Sequence, residues 1–91
     1  MSGLHRFVAS PRQVSCPLDD ETALLEFESG TYYGLDPIGT RVWQLLQQPR
    51  SISEIREALR EEYDVDESRC DSDLLAFLGA LRTARLVDEV P

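Results

Sequence analysis

The stretch of residues 28–39, ESGTYYGLDPIG, constrains the fold of this chain more than any other. Ser29-Gly30 is a typical turn pair, and residues 31–35 after it have the composition of a short strand. Asp36 is a favoured helix N-cap and Pro37 suits the first helical position, so a helix begins directly after the strand. The stretch therefore predicts a β-hairpin whose second strand leads into a helix.

Two earlier segments complete a small sheet. Residues 22–27 form a good strand, and residues 13–16 form a weaker one whose flanking prolines, Pro11 and Pro17, suit a sheet edge. Since the three strands follow one another without a helix between them, they predict an antiparallel meander. In a meander the outer edge of the third strand, residues 31–35, has no partner.

Side-chain alternation gives two ways to close the hairpin. A two-residue loop would pair Phe27 with Tyr32 and turn Leu35 away from Leu25 and Phe27. A three-residue loop over residues 28–30, with Gly30 left-handed, keeps the apolar side chains together, and we prefer it. It predicts an inner face of Ala23, Leu25, Phe27, Thr31, Tyr33 and Leu35, and an outer face that includes Leu24, Glu26 and Tyr32.

Three helices are predicted after the sheet. The first covers residues 37 to about 48, before Pro49, with Trp43 at the margin of its buried stripe. The second opens with the capping box formed by Ser51 and Glu54 and lies on the surface. The third is capped by Asp66, covers residues 67–84, and is followed by a tail that frays. The predicted buried stripe of the first helix is Ile38, Val42, Leu45 and Leu46.

The third helix is apolar over an unusually wide arc. At 100° per residue its apolar side chains spread over about 180°, whereas packing on a single core needs a stripe of roughly 100°. The extra apolar surface suggests a second contact besides the core. Together with the preceding sheet, the three helices predict an α+β domain of the winged helix-turn-helix type.

Composition excludes several classes of protein. With 91 residues and a 42% apolar composition, the chain makes one domain, residues 1–91, with its core at about 13–90. No segment has the length of a membrane span or of a signal peptide, so a cytoplasmic location without membrane contact is expected. The net charge is −8, and residues 54–73 hold nine acids against three arginines, which disfavours binding to nucleic acid.

Chemistry-bearing residues are sparse. The only histidine is His5, and Cys16 and Cys70 lie far apart without a CxxC spacing, so a metal site is not expected. No nucleophile motif and no glycine-rich phosphate loop are present. We therefore expect a binding protein that is not an enzyme and needs no cofactor.

An unpaired strand edge and a helix with spare apolar surface are suited to hold an extended peptide. The peptide would add a strand to residues 31–35, and its alternate side chains would meet the third helix. Plain solvent exposure is the alternative for Asp71 and Arg82. Core packing is the alternative role for Leu74, Leu75, Phe77, Leu78 and Leu81. The candidate peptide-binding residues are Thr31, Tyr32, Tyr33, Gly34, Leu35, Asp71, Leu74, Leu75, Phe77, Leu78 and Arg82.

The segments YYGLDPIGTRVWQLL, SISEIREALREEYDV and DLLAFLGALRTARLV resemble the small domains related to coenzyme PQQ synthesis protein D. These domains recognise precursors of ribosomally synthesised, post-translationally modified peptides (RiPPs). The resemblance covers residues 14–90, and the YYGL spacing is most similar to the stand-alone leader-binding B proteins of lasso peptide pathways. It implies a winged helix-turn-helix fold that adds a leader strand to residues 31–35 against the third helix and presents the leader to a separate peptidase.

The resemblance further implies a leader with a Tyr and a Pro as anchors. Other functions remain open at this point. The domain could deliver a precursor to a radical-SAM enzyme as in PQQ biosynthesis, act as a DNA-binding winged-helix regulator, or serve as a structural subunit of a larger enzyme. The free edge would also allow a weak homodimer.

Overall fold

The computed structural model describes residues 6–63 and 67–90, so the helix cap predicted at Asp66 lies outside the described residues. The elements are, in chain order, β1 (Arg6–Ala9), β2 (Gln13–Leu18), β3 (Glu21–Glu26), β4 (Thr31–Leu35), α1 (Pro37–Leu45), β5 (Arg50–Ser51), α2 (Ile52–Glu62), α3 (Glu67–Thr83) and β6 (Val87–Val90).

Strands β2, β3 and β4 form an antiparallel sheet in that order, and α1, α2 and α3 follow it along the chain. This confirms the predicted α+β class, with an N-terminal three-stranded antiparallel sheet followed by three helices in a winged helix-turn-helix arrangement. The predicted strand at residues 31–35 has the bounds of β4.

The predicted closure of the hairpin is wrong. Glu26 pairs with Thr31, so residues 27–30 form a four-residue loop in place of the predicted three-residue loop. The change reverses the faces of β3, and the predicted inner residues Leu25 and Phe27 lie on the outer face with Ala23. The side chains that the register turns inward are Thr22, Leu24, Glu26, Tyr33 and Leu35.

The side chain of Glu26 explains this loop. Its carboxylate accepts hydrogen bonds from the backbone N–H groups of Glu28 and Ser29 and from the Ser29 hydroxyl, at 2.8–3.0 Å. The N–H of Gly30 donates to the Glu26 carbonyl, and Gly30 has a φ of +66°, the left-handed conformation that was predicted. Because a buried carboxylate needs donors of this kind, the loop fixes Glu26 on the inner face and lowers its pKa.

A second sheet joins the two ends of the described chain. Strand β1 lies between β5 and β6 and is antiparallel to both, with Phe7 opposite Glu89 and Ala9 opposite Val87. The expectation that the residues after α3 fray is therefore wrong for β6. Their backbone groups pair with β1, and Val87 is buried in the core.

The hydrophobic core takes side chains from both sheets and from all three helices. In α1 the buried stripe is turned by about one position from the prediction. Trp43 is 3% exposed and belongs to the core, whereas Ile38 is 44% exposed. Val42, Trp43 and Leu46 share the buried side of the helix. Because the large indole of Trp43 occupies the core there, Ile38 lies at the edge of the buried stripe.

The predicted starts of the first two helices are confirmed. The N–H of Gly39 donates to Asp36 Oδ1 at 2.7 Å, and Pro37 is the first residue of α1. Ser51 and Glu54 form the capping box of α2, each side chain accepting from the other residue's N–H. Helix α1 ends three residues earlier than predicted, because the side chains of Gln47 and Arg50 donate to its last carbonyls.

Among the residues that the structure describes, no helix is both long enough and apolar enough to cross a membrane.

Candidate functional site

The outer edge of β4 is open. Within residues 6–63 and 67–90, β4 pairs with β3 alone, so its other edge has no partner strand. A Cβ added to Gly34 would meet no atom within 4 Å, and Tyr32 is 74% exposed. Tyr33 and Leu35 instead pack inward against the core. Another strand can therefore approach this edge without displacing the core.

Two contacts place α3 near the ends of β4. At one end of the strand, Gly39 of α1 lies between Phe77 and Leu35. A Cβ added to Gly39 would be 3.3 Å from Cζ of Phe77 and 3.5 Å from Cβ of Leu35. At the other end, Arg85, which follows α3, forms an ion pair with Glu28 of the hairpin loop. The helical rise makes residues 77–85 about 12 Å long, close to the length of a five-residue strand such as β4.

One flank of α3 faces this strand. Residues at helical spacing from Phe77 share its side of the helix, and they are Asp73, Ala80 and Ala84. We call Asp73, Phe77, Ala80 and Ala84 the Phe77 flank. Ala80 is exposed and Ala84 is half-buried, and their short side chains leave room beside the strand. We call the space between the β4 edge and the Phe77 flank the cleft.

A pocket of about 590 Å³ lies where α1, α2 and α3 meet, and Phe77 and Asp73 of the Phe77 flank are part of its lining. Ile38, which was predicted to be in the core, lines this pocket. Among the described residues, no cluster of three or more His, Cys, Asp or Glu could hold a metal ion. The pocket is mainly apolar and is lined by Asp36, Ile38, Gly39, Val42, Leu59, Tyr63, Cys70, Asp73, Leu74 and Phe77.

An ion pair braces α1 and α2 beside the pocket. The Arg41 guanidinium donates from Nε and Nη2 to the two carboxylate oxygens of Glu62, at 2.7 and 2.9 Å. These hydrogen bonds lower the pKa of Glu62 and raise that of Arg41. The bidentate geometry fixes the orientation of α1 relative to the end of α2. Tyr63, the residue after Glu62, lines the pocket.

The structure divides the predicted site residues of α3. Leu74 and Phe77 line the pocket, and Leu78 is buried in the core. Asp71, however, forms an ion pair with Arg56 of α2 at 3.1 Å, and Arg82 forms one with Glu89 of β6 at 3.0 Å. These contacts lie on the opposite flank of the helix from Phe77.

Leu75, which is 50% exposed, shares that opposite flank at helical spacing from Asp71 and Arg82. We call Asp71, Leu75 and Arg82 the Leu75 flank. Of the predicted strand residues, Tyr33 and Leu35 pack in the same hydrophobic cluster as Leu74 and Phe77. The ion pairs of Asp71 and Arg82 lead instead to α2 and β6.

Comparison with known proteins identifies the family. The sequence profile of the coenzyme PQQ synthesis protein D (PqqD) family matches residues 21–87, most of the chain. The chain belongs to the PqqD family. None of the curated protein sequences matches it significantly.

Two solved structures share the fold. TbiB1, in complex with the TbiA(beta) leader peptide, is 41% identical, with a TM-score of 0.82 over 89% of this chain and 94% of TbiB1. Lasso peptide synthetase B1, complexed with a leader peptide, is 24% identical, with a TM-score of 0.75 over 93% of this chain and 98% of that one. At that lower identity the second structure supports the fold alone.

Sequence reasoning missed several residues of the cleft and pocket. Ile38 was predicted in the buried stripe of the first helix, and Gly39 and Asp73 were not assigned to the site. Although Ala84 lies on the predicted apolar arc, no binding role was predicted for Ala80 or Ala84. The signal for the last two was present in the sequence. They lie three and seven positions after Phe77, which puts small residues on the same side of α3 as the one aromatic side chain of that helix.

Proposed function

We propose that this chain binds the leader segment of a ribosomally synthesised precursor peptide, of the lasso type, and presents it to a separate leader peptidase. The leader would add a strand to the free edge of β4 against the Phe77 flank. The observation that carries the proposal is the cleft itself, an open strand edge with an apolar helix beside it. This arrangement offers main-chain hydrogen bonds and side-chain contacts at once.

The strand β4 offers a guest peptide two different faces. Peptide residues opposite Tyr33 and Leu35 would point toward the helices, because directly opposed residues lie on the same face of a sheet. There they would meet Phe77. The pocket beyond Leu35 has room for a larger apolar side chain, such as an aromatic residue or a proline of the leader.

A relative supports the identity of the guest. TbiB1, 41% identical to this chain over most of both lengths, was solved with a leader peptide. The binding residues that we propose are Thr31, Tyr32, Tyr33, Gly34, Leu35, Leu74 and Phe77, extended by Asp73, Ala80 and Ala84. The predicted residues Asp71, Leu75 and Arg82 become a test of this assignment, because their flank of α3 faces α2 and β6.

Two matched variants separate the flanks. We expect Ala80→Arg, which fills the cleft, to weaken binding of a fluorescently labelled TbiA(beta) leader by about tenfold or more, a loss of about 1.4 kcal/mol. Leu75→Arg adds the same side chain to the Leu75 flank, which lies on the opposite side of α3 from Phe77. It should change the affinity less than about twofold. Fluorescence anisotropy titration measures both.

Circular dichroism and thermal melting of each variant control for folding, since both positions are exposed. The opposite order of effects would move the peptide to the Leu75 flank. If neither the TbiA(beta) leader nor the leader encoded with this chain binds the wild-type protein, leader recognition itself is wrong.

Presentation to an enzyme is tested separately. The leader peptidase encoded in the same gene cluster should bind the leader-loaded protein and cleave the precursor faster in its presence. Binding of a radical-SAM enzyme in its place would assign the chain to a different RiPP pathway. A mobility shift with duplex DNA at low salt would favour a regulator, although the acidic stretch at residues 54–73 opposes DNA binding.

A further inference from the structure

The outer face of the three-stranded sheet carries large apolar side chains that are exposed within the described part of the chain. Of the six large hydrophobic side chains that are exposed among the described residues, four lie on this face. Val14, Leu25 and Tyr32 form one row across the three strands, and Cys16 and Ala23 form the next with Gly34. The four exposed side chains, between 53% and 74% accessible, are Val14, Leu18, Phe27 and Tyr32.

Phe27 belongs to this face although it follows β3. Its N–H donates to the carbonyl of Arg12 at 3.0 Å, which continues the pairing of β2 with β3 by one residue. Phe27 therefore alternates in step with Ala23 and Leu25. The large apolar side chains of the outer face are therefore Val14, Leu18, Leu25, Phe27 and Tyr32.

These side chains lie outside the hydrophobic core. The core is complete on the opposite side of the sheet, where Leu24 is fully buried. Contiguous apolar surface of this kind on a small domain is typical of a contact with another protein.

We propose that the outer face docks the enzyme that processes the bound leader, through an apolar patch on that enzyme flanked by basic residues. This inference rests on the proposed function, and it locates the second protein surface that presentation of a leader requires.

Charge favours a basic partner over a second copy of this chain. Asp19 and Asp20 form the turn between β2 and β3, and Glu21 begins β3, so three consecutive acids follow Leu18. The whole chain carries −8. Two copies would bring like charges together, whereas a partner with basic residues around an apolar patch would be attracted and oriented.

Continuity with the strand edge favours a partner that acts on the peptide. Tyr32 lies on β4, the strand that the leader would extend. The leader residues that point away from the helices would lie beside Tyr32 and prolong the outer face by one strand. An enzyme docked there would contact the carrier protein and its bound peptide on one continuous surface.

A double lysine variant tests the surface. Leu18→Lys with Phe27→Lys removes two exposed apolar side chains and adds charge that repels a basic partner, without touching the cleft. The matched control is Leu75→Lys with Gly79→Lys, which makes the same charge change at exposed positions of α3. An added Cβ at Gly79 meets no atom within 4 Å.

Three readouts are needed. They are the anisotropy titration with labelled TbiA(beta) leader, the affinity for the leader peptidase encoded with this chain by biolayer interferometry, and sedimentation velocity of the protein alone. We expect the outer-face variant to bind the leader like the wild type and to lose at least about tenfold in peptidase affinity, about 1.4 kcal/mol. The control variant should keep both affinities, and the wild type should sediment as a monomer.

The results that would contradict the docking surface differ from those that would contradict leader binding. Unchanged peptidase affinity in the outer-face variant, or an equal loss in the control, would overturn the docking surface while leader binding stands. A wild-type dimer that the lysines dissociate would assign the face to a second copy. The wild type could fail to bind the leader while the double lysine variant still loses affinity for the peptidase. In that case the proposed function is wrong and the docking surface is supported.

Discussion

The two faces of the sheet β2-β3-β4 contrast in an unexpected way. The inner face of β3 carries Thr22, Leu24 and Glu26, two of them polar, and all three are buried. The outer face of the same strand carries Ala23 and Leu25 and continues into Phe27, yet Phe27 is 56% exposed. The more polar face is thus the one that the protein buries.

Hydrogen bonding of the loop accounts for this choice. Glu26 satisfies two backbone N–H groups of the four-residue loop, so the strand is held in the register that turns Glu26 and Leu24 inward. The apolar side chains left outside are then available for a partner. Counting apolar residues on each face therefore gives the wrong answer where one polar side chain organises a turn.

The largest effect is expected at Leu24. Leu24→Ala removes a fully buried side chain and should lower the free energy of unfolding by about 2–5 kcal/mol. Leu25→Ala, its neighbour on the outer face, should cost only about 1 kcal/mol. Urea unfolding followed by circular dichroism measures both, and a larger loss at Leu25 would mean that the faces are reversed.

The next effect concerns Glu26 and pH. Its pKa is lowered in the folded protein, chiefly by the hydrogen bond from the Glu28 N–H, so the unfolded chain takes up this proton at a higher pH than the folded one. The stabilisation is therefore complete above the ordinary carboxyl pKa of 4.5 and disappears as the pH falls through the lowered value.

Glu26→Gln removes this titrating group. We expect the variant to melt at a lower temperature than the wild type at neutral pH, and the difference to shrink as the pH falls below 4.5. Glu54 and Glu62 also have lowered pKa values, so both proteins keep some acid sensitivity. The wild type and Glu26→Gln should therefore be melted between about pH 7 and pH 3, a range that includes the titration of carboxyl groups. A constant difference between their melting temperatures over this range would contradict the role of the Glu26 carboxylate.

Local signals in the sequence predicted most of the fold. The caps at Asp36 and Ser51 are set by residues within one helical turn, and they were read correctly. The strand β4 was placed to the residue. The pairing of β1 with β6 was missed because it joins the two ends of the chain, and short segments such as residues 87–90 carry no local sign of a distant partner.

A smaller effect tests the hairpin turn. Gly30 has a positive φ and an added Cβ would meet no neighbour, so the cost of Gly30→Ala is that of the left-handed backbone alone, about 1–2 kcal/mol. Gly34→Ala is the matched control, since Gly34 also has open space around it but no left-handed φ. Equal stability of the two variants would show that Gly30 does not fix the turn.

The candidate site was predicted less completely than the fold. The wide apolar arc predicts a second contact for α3 besides the core, but it has two flanks, and the sequence does not say which flank lies nearer the strand. Only the contacts of Phe77 with Gly39, and of Asp71 and Arg82 with other elements, distinguish them.

The smallest effect is expected on the outer face, where the comparison of the two faces is sharpest. Leu18→Thr exchanges an exposed apolar side chain for a polar one that favours strands, and it should change the free energy of unfolding by less than about 0.5 kcal/mol. The same measurement on Thr22→Leu, which makes the inner face more apolar, should show destabilisation, because the larger side chain has to fit a buried position. If Leu18→Thr destabilised the domain as much as an inner-face substitution, the outer face would belong to the fold. A neutral result leaves its apolar residues without a folding role, which is the condition that a docking surface must meet.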